Sequence, residues 1–550
     1  MADTGILRAR LAAARPQFRA TASGRGFGLL IWLIALVAST PLLVAVFSFA
    51  FDTGDIWPHL LRYVLPEAML NTLVLVLGVM VVTTILGVSL AWFVATCEFP
   101  GRGFFNWALL LPMAMPGYVL GFAFAALFEY TGPVQGAWRD LFGASLPFPA
   151  LGAAGASILT LGLVLYPYVF LIARHAFATQ GVRSLEVAQS CGIRPWHGFF
   201  RVSLPMARPW IAAGLSLAVM ESLADFGTVQ LFNYTTFTTA IYRSWYGLFS
   251  LQSALQLSVV LVALVLIALV LEKRFRGESR YTATSGAAGR RIRPGRAGAA
   301  AITAWCSLVL IIAFTLPAGL ILAWSVQSFT SEFDDRYWQL AANTLTLATV
   351  AALLITAVAL LLGFAVRHAP TAINRGLSRI ATLGYAIPGT VLAVGFFVPV
   401  AWLSGRVNDW FFAGSGTVVA LQGGLAVVFL AYLARYLAVA HSSVDSALLR
   451  IRPSVEDAAR GMGVSGVRLL AKVHIPILRP AIVTALLLVF VDVMKELPIT
   501  LMTRPFGWDT LAVRVFQLTT EGQWQLAALP ALAIVVAGLI PVTILSRRGN

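Results

Sequence analysis

The chain has 550 residues, of which 59% are hydrophobic and only 11% charged. A soluble globular domain carries about 25% charged residues, and no core absorbs such an apolar excess, so composition excludes that class and leaves a polytopic membrane protein. The formal net charge of +16 does not indicate nucleic acid, because the basic residues cluster between apolar stretches, as in the positive-inside pattern.

A membrane-crossing helix needs about 20 apolar residues. Twelve stretches qualify: 27–50, 68–96, 104–128, 151–175, 209–231, 252–271, 301–327, 341–366, 377–402, 416–441, 480–502 and 524–546. Arg8, Arg10, Arg15, Arg19 and Arg25 precede the first stretch. It is too long for the apolar region of a leader and is expected to be a retained span. With twelve spans, the basic segments 174–208, 273–299 and 450–479, both termini included, fall on one side, assigned to the cytoplasm. The opposite loops carry Asp52, Asp55, Glu67, Glu332, Asp334, Asp335, Asp509 and Glu521.

The expected fold is all-α. A cytoplasmic arm (1–26) leads into a first six-helix half (27–272). A basic linker (273–299), rich in Gly, Ala, Ser and Arg and expected to be flexible, leads into a second six-helix half (300–550). Cys97, Cys191 and Cys306 lie too far apart for a metal or disulfide pattern.

The halves repeat. Asn71 and Thr72 match Asn343 and Thr344, 272 residues apart, and Pro116-Gly117 matches Pro388-Gly389 at the same spacing. An even number of spans per half makes the repeats parallel, related by an axis along the membrane normal.

Two polar, helix-forming islands also correspond. The first holds Glu186, Val187, Ala188 and Gly192, followed by Leu204 and Pro205. The second holds Glu456, Asp457, Ala458, Ala459 and Gly463, followed by Ile475 and Pro476; Gly192 and Gly463 are 271 apart. Ser454 and Asp457 have capping-box spacing, and Glu456 and Asp457 complement the helix dipole in its first turn. Gly192 and Gly463 suit a left-handed helix end. Pro195 suits a first helical position, and Ser465 is placed to cap a second short helix through Val473. Pro205 and Pro476 are then expected to separate these short helices from the next spans.

The paired pattern of acid, Ala, Gly and a closing apolar-x-apolar-Pro resembles the coupling motif of ATP-binding-cassette importer permeases. Val187 departs from it in the first copy, and in the second Asp457 stands at the Glu position with Glu456 one place early. The resemblance implies that each loop inserts into an ATPase subunit, two in all, and that a periplasmic binding protein delivers cargo at an inner membrane. It would dock on the outer loops 51–67, 129–148, 232–250, 328–340, 403–415 and 503–523. No lysine (Lys273, Lys472, Lys495) follows a glycine as a P-loop requires, so ATP hydrolysis is expected on another chain, with no enzyme activity and no cofactor here. Gly461, Gly463 and Gly466 spell a dinucleotide-type GxGxxG but lack the strand that such a site needs.

Five charged residues fall inside the fifth and eleventh spans: Glu221, Asp225, Asp492, Lys495 and Glu496. Glu221 with Asp225, and Asp492 with Glu496, are spaced to share one helix face. Ionisable groups at membrane depth are costly unless they are paired or face a watery path. They read either as contacts along a substrate path or as ties between helices near a gate. Tyr130, Tyr234, Tyr242 and Tyr246 read as interfacial anchors. The segments 224–230 and 495–500 look most like the ferric iron permeases, and carboxylates suit that hard cation. Thiamine or a polyamine suits the same acids; sulfate or phosphonate is disfavoured on charge. No metal-ligand set is assigned. A proton-coupled carrier using Asp225, Asp492 or Glu496 is the alternative of another class, although the loops 98–104 and 367–376 lack the acid-and-arginine signature expected of it.

Overall fold

The computed structural model describes residues 22–50, 56–143, 148, 151–181, 188, 190–192, 195–276, 291–411 and 419–548. Residues 1–21 of the N-terminal arm, Asp52 and Asp55, Glu186 with Val187, 277–290 of the linker and 416–418 of the tenth predicted span lie outside them. The first half runs through α1 (Ala22–Phe47), α2 (Leu65–Thr96), α3 (Arg102–Ala108), α4 (Gly117–Phe128), α5 (Pro133–Phe142), α6 (Gly152–Ala176), α7 (Leu204–Ala224), α8 (Gly227–Leu231), α9 (Phe237–Tyr246) and α10 (Leu251–Arg276). The second runs through α11 (Arg296–Leu310), α12 (Leu316–Gln327), α13 (Asp335–His368), α14 (Ala372–Ala381), α15 (Gly389–Phe411), α16 (Leu425–Leu448) and α17 (Pro453–Gly461). It ends with α18 (Ile475–Met494), α19 (Pro498–Thr503), α20 (Leu511–Thr520) and α21 (Trp524–Arg548).

Among the described residues, eleven helices are long and apolar enough to cross a membrane, and twelve if a pair bent by 90°, Arg102–Ala114 with Gly117–Phe142, counts as one span. Six fall in each half, so the all-α, twelve-span, two-repeat expectation holds.

Several boundaries differ from the hydropathy pattern. The third and ninth spans are not continuous over 104–128 and 377–402. Both break before the repeated Pro-Gly pair, with Met115 and Ile387 in extended conformation, because a residue that precedes proline is pushed out of the helical region. The fifth and eleventh spans end at Ala224 and Met494 rather than at 231 and 502. Their lower ends are continuous, as Trp196–Ala224 and Val467–Met494. Pro205 and Pro476 sit just after one π turn inside these continuous helices, so neither proline separates a short helix from its span. The end of the linker is docked, not loose. Ile292 donates its N–H to the Thr96 carbonyl and accepts from the Glu98 N–H, both at 2.8 Å.

Each half is built on three mutually packed helices: α2, α6 and α7 in the first, α13, α16 and α18 in the second. The opening span of each half crosses onto the other. Helix α1 packs on α13, α14 and α15, so closely that a Cβ on Gly395 would lie 2.5 Å from Pro41. Residues Ile302, Cys306 and Leu310 of α11 pack into the first half's core with Trp92, Phe170 and Phe177.

The repeated Asn-Thr pair has one job in both halves. Asn71 Nδ2 donates to the Thr235 carbonyl (2.9 Å), and Asn343 Nδ2 to the carbonyls of Gly507 (3.1 Å) and Asp509 (3.0 Å). Thr72 and Thr344 accept from the first amides of α9 and α20. Asn343→Ala orphans two carbonyls and is expected to cost about 1–3 kcal/mol, measured as thermal stability in detergent; an unchanged melting temperature would show the tie to be dispensable.

Candidate functional site

At one end of the bundle lie the repeated polar islands. Helix α17 begins on Pro453 with Arg452 at its cap, not with a Ser454 capping box. The fixed φ of proline preforms that first turn. Gly192 and Gly463, both at φ 80, take the left-handed conformation expected of them. The next turn follows Gly466 (φ 57) rather than Ser465.

Helix α17 has two faces. Asp457, Ala458 and Met462 are exposed, while Glu456 and Ala459 are buried. Gly463, Ile475 and Pro476 are exposed beside them. In the first copy Ala188 is buried, Leu204 half-buried, and Gly192 and Pro205 exposed.

Glu456 is tied inward. Arg367 Nε and Glu456 Oε1 are 2.5 Å apart, His474 Nε2 lies 3.0 Å from the same oxygen, and Arg460 Nη2 lies 3.4 Å from Oε2. Burial opposes ionisation, but the hydrogen bonds with His474 and Arg367 and the charge of Arg367 outweigh it and hold the Glu456 carboxyl down at about 2, against 4.5 for an ordinary glutamate. A depressed carboxyl stabilises the fold fully above pH 4.5 and loses that contribution as pH falls toward 2. Pepsin cleavage within 449–466, normalised to an unfolded peptide, should therefore stay slow at pH 4.5 and rise as pH approaches 2. A flat profile over that range would contradict the assignment.

The second feature is a cavity of about 160 Å³ between the halves, lined by all five predicted membrane charges, Glu221, Asp225, Asp492, Lys495 and Glu496. The expected helix-face pairing gives way to a different arrangement, because Asp225 and Glu496 lie beyond the ends of α7 and α18. Each caps the short helix that follows. Asp225 accepts from Thr228 N (3.1 Å), Thr228 Oγ1 (2.9 Å) and Val229 N (3.2 Å). Glu496 accepts from Ile499 N (2.8 Å), Thr500 N (3.0 Å) and Thr500 Oγ1 (2.9 Å). The Pro-Gly pairs close on the same acids: a Cβ on Gly117 would lie 3.4 Å from Asp225 Oδ2, and one on Gly389 3.1 Å from Glu496 Oε1. These two acids therefore shape the broken spans.

The other pair is arranged differently. Asp492 Oδ1 pairs with Lys495 Nζ at 2.9 Å. Glu221 accepts from the Tyr385 hydroxyl at 2.9 Å, across the boundary between halves, and forms no ion pair among the described residues. Arg435, which the sequence reading did not single out, also lines the cavity, and its Nε has no hydrogen-bond partner. The signal was there: a lone charge in the predicted span 416–441 meets the criterion that picked out Glu221. Tyr385 carried no comparable signal. Tyr118 joins the halves again, donating to the Lys495 carbonyl at 3.4 Å. Tyr234 and Tyr246 tie elements together, bonding the carbonyls of Asn71 (3.1 Å) and Met502 (2.8 Å), beyond any anchoring role. Among the described residues no group of three His, Cys, Asp or Glu stands ready to hold a metal ion; the four carboxyls are spread around the wall.

Comparison with known proteins bears on both features. The chain is 26% identical over 532 residues to the Fe(3+)-transport system permease protein FbpB 2 of Haemophilus influenzae, covering 94% of this chain and 97% of that one. It is 28% identical over 203 residues to the molybdenum transport system permease protein ModB of Escherichia coli K12, 36% of this chain and 87% of that protein. Against the sulfate transport system permease protein CysT of the same organism, identity is 27% over 203 residues, 37% of this chain and 72% of that protein. Residues 83–275 and 355–548 each match one family, and together they make up most of the chain: it belongs to the binding-protein-dependent transport system inner membrane components, with that domain present twice.

Proposed function

We propose that this permease imports ferric iron, handed over by a periplasmic binding protein and driven by two ATPase subunits that dock on the loops around Ala188 and Ala458. The chain is a multi-pass transport subunit and not an enzyme. The observation that carries the substrate is Glu221, a cavity carboxylate whose hydrogen bond comes from a phenol rather than a cation. A carboxylate held in no ion pair is a hard oxygen donor suited to Fe³⁺, and the cavity sets four carboxyls against Arg435 and Lys495. The similar Haemophilus influenzae permease is named for the same cation.

In this reading both termini and the docking loops face the cytoplasm, with residues 27–272 and 300–550 as the two moving halves. ATPase closure draws the docking helices together, the halves rock, and the cavity changes its side of access. The cation drives no such change unless it binds the two states differently. Family membership sets the proton-coupled carrier aside.

One observation favours a second reading. The Arg435 guanidinium presents an Nε without a partner, and guanidinium groups suit oxyanions, the cargo class of the molybdenum and sulfate relatives. Uptake competition in vesicles, with binding protein and ATPase supplied, separates the two among ferric iron, thiamine, putrescine, sulfate and molybdate. Ferric iron should compete; competition by sulfate or molybdate alone would overturn the iron reading.

A further inference from the structure

We infer that the two docking loops are mechanically unequal, and that a buried ion hub on Glu456 makes the second loop the stiff lever of the pair. The inference rests on the proposed ATPase docking.

The hub joins four elements through three side chains. Arg367, at the end of α13, reaches Glu456 of α17 with Nε and donates Nη1 to the Leu448 carbonyl and Nη2 to the Ile451 carbonyl, both at 2.7 Å. Those carbonyls close the end of α16. His474, in the π turn that enters α18, meets the same Glu456 oxygen and is fully buried. Apolar packing backs the hub on two sides, from Phe364, Ala459 and Leu469 and from Val444, Leu448 and Leu478. Removing one partner of a buried ion pair strands the other's charge, so α17 cannot turn without taking α13, α16 and α18 with it.

Among the described residues the first half has no such device. At the repeat spacings of 272 and 271, Ala95, Leu185 and Ser203 stand where Arg367, Glu456 and His474 stand in the second half. None carries a charge. Ser203 is buried with its hydroxyl unpartnered. Trp92, the counterpart of Phe364, packs on Phe177 and Phe199 with ring centroids 5.4 and 4.7 Å away. Apolar contact is non-directional, so this joint resists separation but not rotation, whereas the hub holds an angle. Glu456 is thus a positioning residue. The face left for a partner is the opposite one, with Asp457, Ala458 and Met462.

The test is the complete transporter, permease with binding protein and ATPase, in liposomes, scored for ATP turnover, ferric iron uptake and ATPase retention during purification. Glu456→Gln should keep the ATPase bound and hydrolysing while uptake per ATP falls by about tenfold. Arg367→Lys, which keeps the charge but lacks the fork for two carbonyls, should shift the same ratio and decides the matter if Glu456→Gln does not fold. Ser203→Ala should leave the ratio unchanged. Loss of the ATPase from Glu456→Gln would make Glu456 a gripping residue and overturn the inference. So would an unchanged ratio in both second-half variants, or an equal fall in Ser203→Ala. If the wild-type permease retains no ATPase, the proposed function fails, independently of the hub.

Discussion

Glu221→Gln is expected to cut ferric iron uptake by about tenfold or more while leaving the amount of folded permease unchanged. Glutamine keeps the oxygen that accepts from the Tyr385 hydroxyl, so the tie between halves survives. What disappears is the charge on the cavity carboxylate that neither caps a helix nor pairs with a cation. Two unit charges 4 Å apart interact by about 4 kcal/mol at an effective dielectric constant near 20. About a third of that, lost from one state and not the other, is a tenfold change. Uptake into vesicles with binding protein and ATPase present reads it directly. Iron uptake equal to wild type would reduce Glu221 to a structural tie. A gain in sulfate or molybdate uptake would move the substrate to the second reading. Asp225→Asn and Glu496→Gln are poorer probes, because each acid caps a helix and its loss disturbs the fold and the cavity together.

Gly384→Ala should be among the most damaging single-methyl changes in the chain. An added Cβ would lie 2.0 Å from the Ala434 carbonyl oxygen. That obstacle is backbone in the interior of α16, not the movable end of a side chain, so the turn 383–386 has to back away from it. Overpacking of this kind costs about 1–3 kcal/mol, and here the displacement is aimed at the cavity. Tyr385 follows Gly384 directly and leaves Glu221 if the turn shifts; Arg435 follows Ala434 on the other side. Lower thermal stability and at least about a tenfold loss of uptake are expected together. Gly376→Ala in α14 is the control, since a Cβ there meets nothing within 4 Å. Wild-type behaviour of Gly384→Ala in both assays would mean that this close approach is not obligatory.

Much of the architecture is legible in the sequence because the bilayer imposes it. A span needs a set length of apolar residues, and apolar stretches of that length number twelve. The repeat is legible from matched spacing, and its matched residues turned out to do matched work: Asn71 with Asn343, Pro116 with Pro388, Gly192 with Gly463. The five charges that the sequence places at membrane depth all line one cavity. Their division of labour was not legible. Glu221 and Asp225 look equivalent along a helix, yet one lies inside α7 and the other beyond its end.

The same limit applies to the docking motif. Glu456 and Asp457 are adjacent acids in one helical turn, and the sequence offers no reason to prefer either. Arg367 lies 89 residues before Glu456 in the chain and His474 18 after it, and only the packing of α13 and α18 around α17 brings them to the same carboxylate. The crossing of α1 onto the second half and the convergence of Tyr385 with Glu221 have the same origin. Length, hydropathy and spacing are properties of a segment and can be read from it alone. Which face of a helix is buried, and which distant charge meets it there, depends on neighbours that only the tertiary fold supplies.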